Sequence, residues 1–368
     1  MNKKIIAMLL SVAMIFTVVA CGNGKNDSTE GGKEVGTPTI TKLADYSDMA
    51  SILTGDYEIK EDDLANGLTS LLSSAGVSVE WTEVKDRDVV AEDDIVNVDY
   101  TGYLDDKAFA GGTATDQLID VKKNCSVSES TGTASSGYID GFTSGLAGAK
   151  VGEKVSYEVT FPENYGSTDL AGKTVTFEFK VNGIYTCTPY TYDNITDEFV
   201  KEKLVDYELE TVEDLKKYVK EELTFNSYIS YIIANTTVDI PDDYVAMRVD
   251  AYQAYLEKTY CSESMPLETM LAYYYGQTLE QAREDWTEGL TSQAKVELVF
   301  AEMVKNEKLE LDEKAHEEYI ASVTDEKSNF KSAEDVYNYV GAGNVEAGEA
   351  YLKNEASIRE FVKAKMYE

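Results

Sequence analysis

The chain has 368 residues, enough for two domains, and a formal net charge of −35. So acidic a chain lacks the clustered cations that binding to nucleic acid or to an anionic lipid surface requires. Four cysteines without a CxxC pair and a single histidine, His316, predict no metal site and no Ser-His or Cys-His catalysis.

The N-terminus has the pattern of a secretory signal. Lys3 and Lys4 precede an apolar run over 5–19 that is short for a membrane span, and small residues then lead to Cys21. This order resembles a bacterial lipobox, which implies cleavage before Cys21 and lipid on its sulfur. We therefore predict a signal peptide over 1–20 and a lipid anchor on the extracytoplasmic face of the cell membrane. The alternative is an ordinary signal peptide followed by an incidental cysteine.

Residues 21–43 begin rich in Gly, Ser and Asn, which predicts a flexible tether. The next stretch, 44–80, is predicted to be a linking helical segment. Within it Leu64, Leu68 and Leu71 share one helical face, and Gly76 ends the pattern.

From about 81 to 187 the apolar period changes to two. The runs 95–104, 155–161 and 175–181 alternate as strands, and the Gly-rich stretch 141–148 is predicted to be a short helix. The expected fold class is α+β, with an antiparallel sheet wrapped on that helix.

From 191 to 368 the pattern is helical. Thr211 and Thr278 open capping boxes, and Pro241 and Pro266 suit the first turns of further helices. Additional helices are predicted near 312–322, 332–340 and 345–366. Among these, His316 has several glutamate neighbours, which predicts a solvent-exposed helix face.

The middle segment carries many short motifs in a fixed order, and these resemble FKBP-type prolyl isomerases. The motifs lie at 98–104, 109–112, 138–142, 145–148, 151–153, 161–166 and 170–177. The resemblance implies an antiparallel half-barrel with one short helix over 81–187. It also implies peptidyl-prolyl cis-trans isomerase activity without a cofactor.

The family pattern implies the positions of the site. The catalytic wall is expected to contain Tyr100, Phe109, Ile139, Phe142 and Phe177. The Ile139 N–H is expected to hold the substrate carbonyl before proline. Without the resemblance, such apolar alternation indicates only a protein core.

Around this wall, Tyr138, Tyr165 and Leu170 are expected to bind substrate. Two departures from the family bear on activity. Ala110 stands where active members commonly carry an acidic residue, and the stretch Lys122–Ser136 is longer and more polar than usual. We therefore expect weak rather than absent catalysis.

The C-terminal half resembles the trigger-factor chaperone domain, through the motifs at 195–200, 211–215, 238–241 and 296–303. The resemblance covers 191–368 and implies binding of unfolded or proline-containing polypeptides. Because the chain carries the pattern of a secretory signal, we expect these polypeptides to be exported ones. The Phe-Arg-Lys signature of ribosome docking does not occur in the sequence, so no ribosome partner is expected.

The helical half is rich in tyrosine. Tyr273, Tyr274 and Tyr275 are consecutive and cannot share one helix face, so at least one is expected to be exposed. We interpret them as a client-binding surface, because tyrosine offers adaptable contacts. Most other tyrosines are expected to pack between helices.

Three functions compete at this point. The first is a lipid-anchored prolyl isomerase with an attached chaperone, and the second is a non-catalytic holdase with a degenerate FKBP fold. The third, a solute-binding lipoprotein, predicts alternating strands and helices, whereas this chain has a block of strands followed by a block of helices. The sequence rejects only the third.

Overall fold

We describe residues 35–311, 313–324 and 330–367 of a computed structural model of the chain. The chain divides into two compact units. The sheet unit contains Ala65–Phe199, and the helical unit contains the residues up to Leu64 together with those from Val200 onwards. Signal peptide and lipidation predictions at 1–20 and Cys21 lie outside the described residues.

The sheet unit is built on one antiparallel sheet of seven strands within its described residues. In chain order they are β2 Val79–Glu83, β3 Ile95–Leu104, β4 Lys107–Asp120, β5 Cys125–Val127, β6 Ala134–Gly137, β7 Lys154–Thr160 and β8 Thr174–Pro189. The spatial order is β2-β8-β3-β4-β5-β6, and β7 pairs with the first half of β8. Among these strands β8 is the most extensively paired, because it pairs with β2, β3 and β7.

Alternation along β3 and β8 defines the core of this unit. Val96 and Val98 of β3 are fully buried, as are Phe179 and Val181 of β8. These strands pair with Val98 opposite Val181 and Tyr100 opposite Phe179. Because successive side chains of a strand point to opposite faces, one face of the sheet becomes continuously apolar.

The predicted short helix over 141–148 is instead a run of tight turns. Its hydrogen bonds span three residues, as in Phe142 N–H to Ile139 O (3.1 Å) and Leu146 N–H to Thr143 O (3.0 Å). Gly141 and Gly148 have φ of 83° and 87°. Positive φ at both ends suits glycine and stops the run from continuing as an α-helix.

The polar stretch Lys122–Ser136 forms the β5–β6 hairpin, which extends the sheet beyond β4. Its tip is fixed to β2. The Trp81 indole N–H donates to Glu129 O (2.7 Å), and Ser78 N–H donates to Ser130 O (2.9 Å). The lengthened segment is therefore an ordered addition to the sheet.

The helical unit contains most of the helices in the described part of the chain. These are α1 Met49–Ile52, α2 Glu61–Ser74, which continues into the sheet unit, α3 Asp197–Lys203, α4 Val212–Asn235, α5 Asp242–Tyr260, α6 Leu267–Tyr275, α7 Leu279–Glu307, α8 Glu313–Val323, α9 Ala333–Val340 and α10 Val345–Met366. Thr211 and Thr278 form the predicted capping boxes. The helix predictions for 312–322, 332–340 and 345–366 are confirmed.

The long helix α7 links two hydrophobic cores of the helical unit. Its first half contributes Trp286 and Leu290 to a core shared with α5 and α6. Its second half contributes Val299 and Phe300 to a core shared with α4, α8, α9 and α10. Buried apolar residues recur at helical spacing in both halves, which is the pattern of a helix covered along one face.

The predicted tether over 21–43 ends earlier than expected. Strand β1, Thr39–Lys42, pairs antiparallel with β9, Thr237–Asp239, in a small two-stranded sheet. Gly36 N–H also donates to the Asp243 carboxylate (3.2 Å). The alternating Thr-Ile-Thr-Lys sequence suits this strand, but its partner lies almost 200 residues further along the chain.

The prediction that His316 lies on a solvent-exposed helix face is wrong, because the residue is buried. Only 5% of the residue is exposed, and its ring stacks on Tyr337. Burial lowers the pKa of the imidazole. Tyr319, Ile320 and Val323 are also buried, so the i, i+3, i+4, i+7 spacing from residue 316 marks the core face of α8.

Candidate functional site

Phe142 is the centre of an aromatic cluster in the sheet unit, and only 3% of it is exposed. The rings of Tyr100, Phe177 and Phe179 meet Phe142 edge to face, with centroids 5.1, 4.8 and 5.1 Å away. Tyr138 instead stacks on Phe142, with centroids 4.2 Å apart and planes 24° apart. The cluster is therefore apolar and densely packed, with Phe142 contacted edge to face by three rings and covered on one face by Tyr138.

Phe109 of β4 is the most accessible phenylalanine of the predicted wall. Two glycines make room for its half-buried ring. A Cβ on Gly102 or on Gly112 would lie 2.5 Å from an atom of this ring. The Gly-Gly sequence after Phe109 and the Gly in β3 therefore serve close packing around this one side chain. Ala110, the next residue on β4, is exposed.

Ile139 supplies a backbone donor beside the aromatic cluster. It is half-buried and lies between the end of β6 and the turns around Phe142. Its carbonyl accepts from Phe142 N–H, whereas its own N–H has no hydrogen-bond acceptor within the described residues. A partly buried donor without an internal partner is available to a ligand carbonyl.

The predicted substrate-binding residues fall in different environments. Tyr165 is 38% exposed and contacts the Phe161 ring, with centroids 4.5 Å apart. Leu170 is 8% exposed and belongs to the hydrophobic core. Of these two residues, only Tyr165 is open to a ligand.

The hydroxyl groups around the cluster are neutral. Burial raises the pKa of Tyr100, Tyr138 and Tyr157 above the ordinary value of tyrosine. The hydroxyl groups of Tyr100 and of Ser126 on β5 both act on the pKa of Tyr138. The site thus combines apolar rings with neutral hydrogen-bonding groups.

Three members of the aromatic cluster were missing from the sequence prediction: Tyr157, Phe161 and Phe179. Tyr157 donates from its hydroxyl to Phe142 O (2.6 Å) and stacks on Phe179 (5.3 Å between centroids). Phe161 meets Phe109 with centroids 6.0 Å apart. All three lie on or beside strands at alternating positions, so period-two alternation marks them as inward-facing but does not separate site from core.

The structure brings the five predicted wall residues together. Phe142 and Phe177 are both 3% exposed, so the accessible surface of the cluster comes from Tyr100, Phe109 and Ile139 together with Tyr138. A ligand ring can reach the face of Phe142 that Tyr138 covers only after the Tyr138 side chain moves.

In the helical unit, the tyrosine patch is the three consecutive residues at the end of α6. Tyr273, Tyr274 and Tyr275 are 74%, 63% and 44% exposed, which confirms the predicted exposure. In contrast, Tyr228 and Tyr255 are buried and pack between helices.

Comparisons with known proteins match the two halves of the chain separately. A family model described as FKBP-type peptidyl-prolyl cis-trans isomerase matches residues 87–182. A second, described as bacterial trigger factor protein (TF) C-terminus, matches residues 200–364. The matched ranges fall within the sheet unit and the helical unit, respectively.

Similar proteins are trigger factors. That of Macrococcus caseolyticus is 28% identical over 84% of this chain and 73% of its own length. That of Halothermothrix orenii is 31% identical over 73% of this chain and 60% of its own length. A solved trigger factor chaperone aligns with 90% of this chain and 79% of its own at 17% identity, with a TM-score of 0.33. By its fold and the two family matches, the chain combines an antiparallel sheet domain similar to FKBP-type peptidyl-prolyl cis-trans isomerases with a helical domain similar to the trigger-factor C-terminus.

Proposed function

We propose that the sheet unit catalyses cis-trans isomerisation of peptide bonds before proline. The observation that supports this most directly is the Ile139 N–H, which has no acceptor among the described residues, on a partly buried residue that packs against the same hydrophobic core as the partly buried Tyr100 and Phe109. A proline ring needs the apolar surface, and the carbonyl before it needs the donor.

The reaction requires no nucleophile, metal or general base. Rotation about the bond before proline costs about 18–20 kcal/mol because amide resonance is lost. The twisted amide has less charge separation than the planar one, so a dry aromatic site disfavours the planar ground state more. Neutral hydroxyls and phenylalanine rings are sufficient for this role.

The packing around Phe142 supports weak activity in the resting protein. Its ring is nearly completely covered, and Tyr138 covers one face. Only the fraction of molecules with Tyr138 displaced offers that face to substrate, so the observed rate is scaled by that fraction. Ala110, in place of the commonly acidic residue, agrees with a low rate.

A refolding assay limited by proline isomerisation tests the proposal on residues 22–368. Phe109→Ala removes an accessible wall ring and is expected to lower kcat/KM at least tenfold. Tyr190→Ala is the matched control, because it removes a half-buried ring that packs only on Phe199 among the ring contacts found in the sheet unit. A wild-type rate equal to the uncatalysed rate would leave the non-catalytic holdase.

We further propose that the helical unit binds unfolded, exported polypeptides at the tyrosine patch. Three adjacent exposed aromatic side chains are unusual on a soluble surface, where large apolar patches mark interaction sites. Replacing all three with serine is expected to abolish suppression of aggregation of an unfolded client. The replacement Met247→Ser, at an exposed residue of α5, serves as the control. Equal suppression by all the proteins would argue against the patch.

The N-terminal sequence supports a lipid anchor, and we propose that the protein acts at the extracytoplasmic face of the membrane. Among the described residues no helix is both long and apolar enough to cross a bilayer. With Cys21→Ala, metabolic labelling with a fatty acid is expected to disappear and the protein to leave the membrane fraction. Persistent labelling would exclude Cys21 as the modified residue.

A further inference from the structure

The Ile139 donor is held in place by a side chain outside the predicted site, Asn124. This residue ends the turn between β4 and β5, directly before the added hairpin. Its backbone has φ of 51°, in the left-handed region that asparagine tolerates better than most residues. From this position its amide group reaches the segment that follows the hairpin.

The Asn124 side-chain amide forms three hydrogen bonds to the segment 138–143. The Nδ2 group donates to Tyr138 O (3.2 Å) and to Ile139 O (3.0 Å). The Oδ1 atom accepts from Thr143 N–H (3.2 Å), and the Thr143 hydroxyl oxygen lies 3.1 Å from it. The Thr143 hydroxyl donates its single proton to the nearer acceptor, Val121 O (2.9 Å), which ties the turn to the end of β4 as well.

Because the peptide bond is planar, the hydrogen bond to Tyr138 O also sets the direction of the Ile139 N–H. In a trans peptide the C=O and the following N–H point in opposite directions within one plane. Fixing Tyr138 O therefore fixes the direction of Ile139 N–H. Tyr138 N–H in turn donates to Asn124 O (2.9 Å), which closes the link from the other side.

We infer that Asn124 is a positioning residue for the isomerase site: its amide group orients the Ile139 N–H toward the carbonyl that precedes proline. This inference rests on the proposed isomerase function. Rotation about the bond to proline turns one side of the amide relative to the other, so a donor that holds the carbonyl side leaves the prolyl side free to turn. A donor whose direction is fixed before substrate arrives loses little conformational freedom when it binds the carbonyl.

Asn124→Asp is the sharpest variant, because it keeps the shape and the tolerance of positive φ. It replaces the Nδ2 donor with an oxygen that faces two carbonyl oxygens. We expect kcat/KM to fall about tenfold, the effect of one misdirected hydrogen bond. Asn124→Gly keeps the backbone conformation without the repulsion and is expected to show a similar loss. Thermal unfolding checks that both variants are folded.

The matched control is Asn194→Asp. Asn194 also donates from its side-chain amide to a backbone carbonyl, Pro189 O (3.0 Å), and it accepts from Thr191 N–H (2.7 Å). It lies in the segment after β8 and makes no contact with the aromatic cluster among those found. Isomerase activity is expected to be unchanged by this variant. Wild-type activity in a folded Asn124→Asp protein would overturn the inference.

A second measurement decides the inference even where no turnover is detected. In the full mature chain labelled with ¹⁵N, addition of a short acyl-Ala-Pro-amide peptide is expected to shift the Ile139 amide proton downfield. The same titration of Asn124→Asp should leave this proton unshifted while signals from Tyr100 and Phe109 still move. Equal shifts in both proteins would overturn the positioning role. No shift in either, with no turnover, would overturn the proposed isomerase as well.

Discussion

At the scale of single residues, the aromatic site depends on the absence of side chains at Gly102 and Gly112. Both glycines contact the Phe109 ring so closely that a methyl group would overlap it. We expect Gly102→Ala to displace Phe109 and to destabilise the protein by about 1–3 kcal/mol, the usual effect of overpacking a core. Urea unfolding measures this, with Gly166→Ala, where a Cβ meets nothing within 4 Å, as control.

Removal of the Tyr138 ring is expected to increase activity. Removing its ring with Tyr138→Val uncovers one face of Phe142, so kcat/KM for a proline-containing peptide is expected to rise about threefold to tenfold. This corresponds to the energy of one stacked aromatic pair. Tyr138→Phe keeps the ring and is expected to remain within about threefold of wild type. A lower rate in Tyr138→Val would show that Tyr138 assists substrate binding.

Residue patterns predicted which side chains meet at the site but not how they meet. The positions of Tyr100, Phe109 and Phe142 followed from ordered motifs. The stacking of Tyr138 on Phe142 depends on a side-chain rotamer that neighbouring strands select, and period-two alternation carries no rotamer information. Asn124 gave only a weak signal, since asparagine in a turn is common.

At the scale of elements, helices α4, α8 and α10 enclose charged groups in the helical unit. Arg359 donates to Glu355 (3.1 Å) and approaches Glu222 (3.2 Å), and its guanidinium lies over the Phe225 ring. Glu355 is fully buried, and burial raises the pKa of its carboxyl group to about 7. One of its oxygens has no hydrogen-bond partner among the described residues.

This raised pKa predicts the sign of a pH effect on stability. The folded protein holds the Glu355 proton more tightly than the unfolded chain, so stability falls as pH rises from about 4.5 to about 7 and then levels off. Glu355→Gln is expected to match wild type at pH 5 and to be more stable at pH 8 by about 1–3 kcal/mol. Chemical unfolding at both pH values measures this. The exposed Glu360 of the same helix provides the control, Glu360→Gln, and an unchanged pH profile in Glu355→Gln would contradict the prediction.

Helix starts were predicted well because their sequence signals involve residues close together in the chain. Capping boxes at Thr211 and Thr278 and the proline before α5 gave helix starts correctly, because a cap involves residues only three apart. The strand at Thr39–Lys42 could not be predicted, since its partner lies at Thr237–Asp239 and the surrounding composition suits a tether. The β5–β6 hairpin was likewise hidden by its polar sequence.

At the scale of the whole molecule, the sheet unit is one continuous stretch of chain, whereas the helical unit is assembled from two. We expect residues 61–199 alone to fold cooperatively and to keep kcat/KM within about twofold of the value for residues 22–368. Circular dichroism and the refolding assay test this together. An unfolded or inactive fragment would show that the isomerase site needs residues of the helical unit.

The pairing of β1 with β9 has a consequence for the order of events during synthesis. During synthesis Thr39–Lys42 is made early, and its partner Thr237–Asp239 is made only after the whole sheet unit. Until then the first strand has an unsatisfied edge, and the core that it borders lacks most of its helices. A chain that stops after residue 199 therefore contains all seven described strands of the large sheet but leaves β1 without its partner β9.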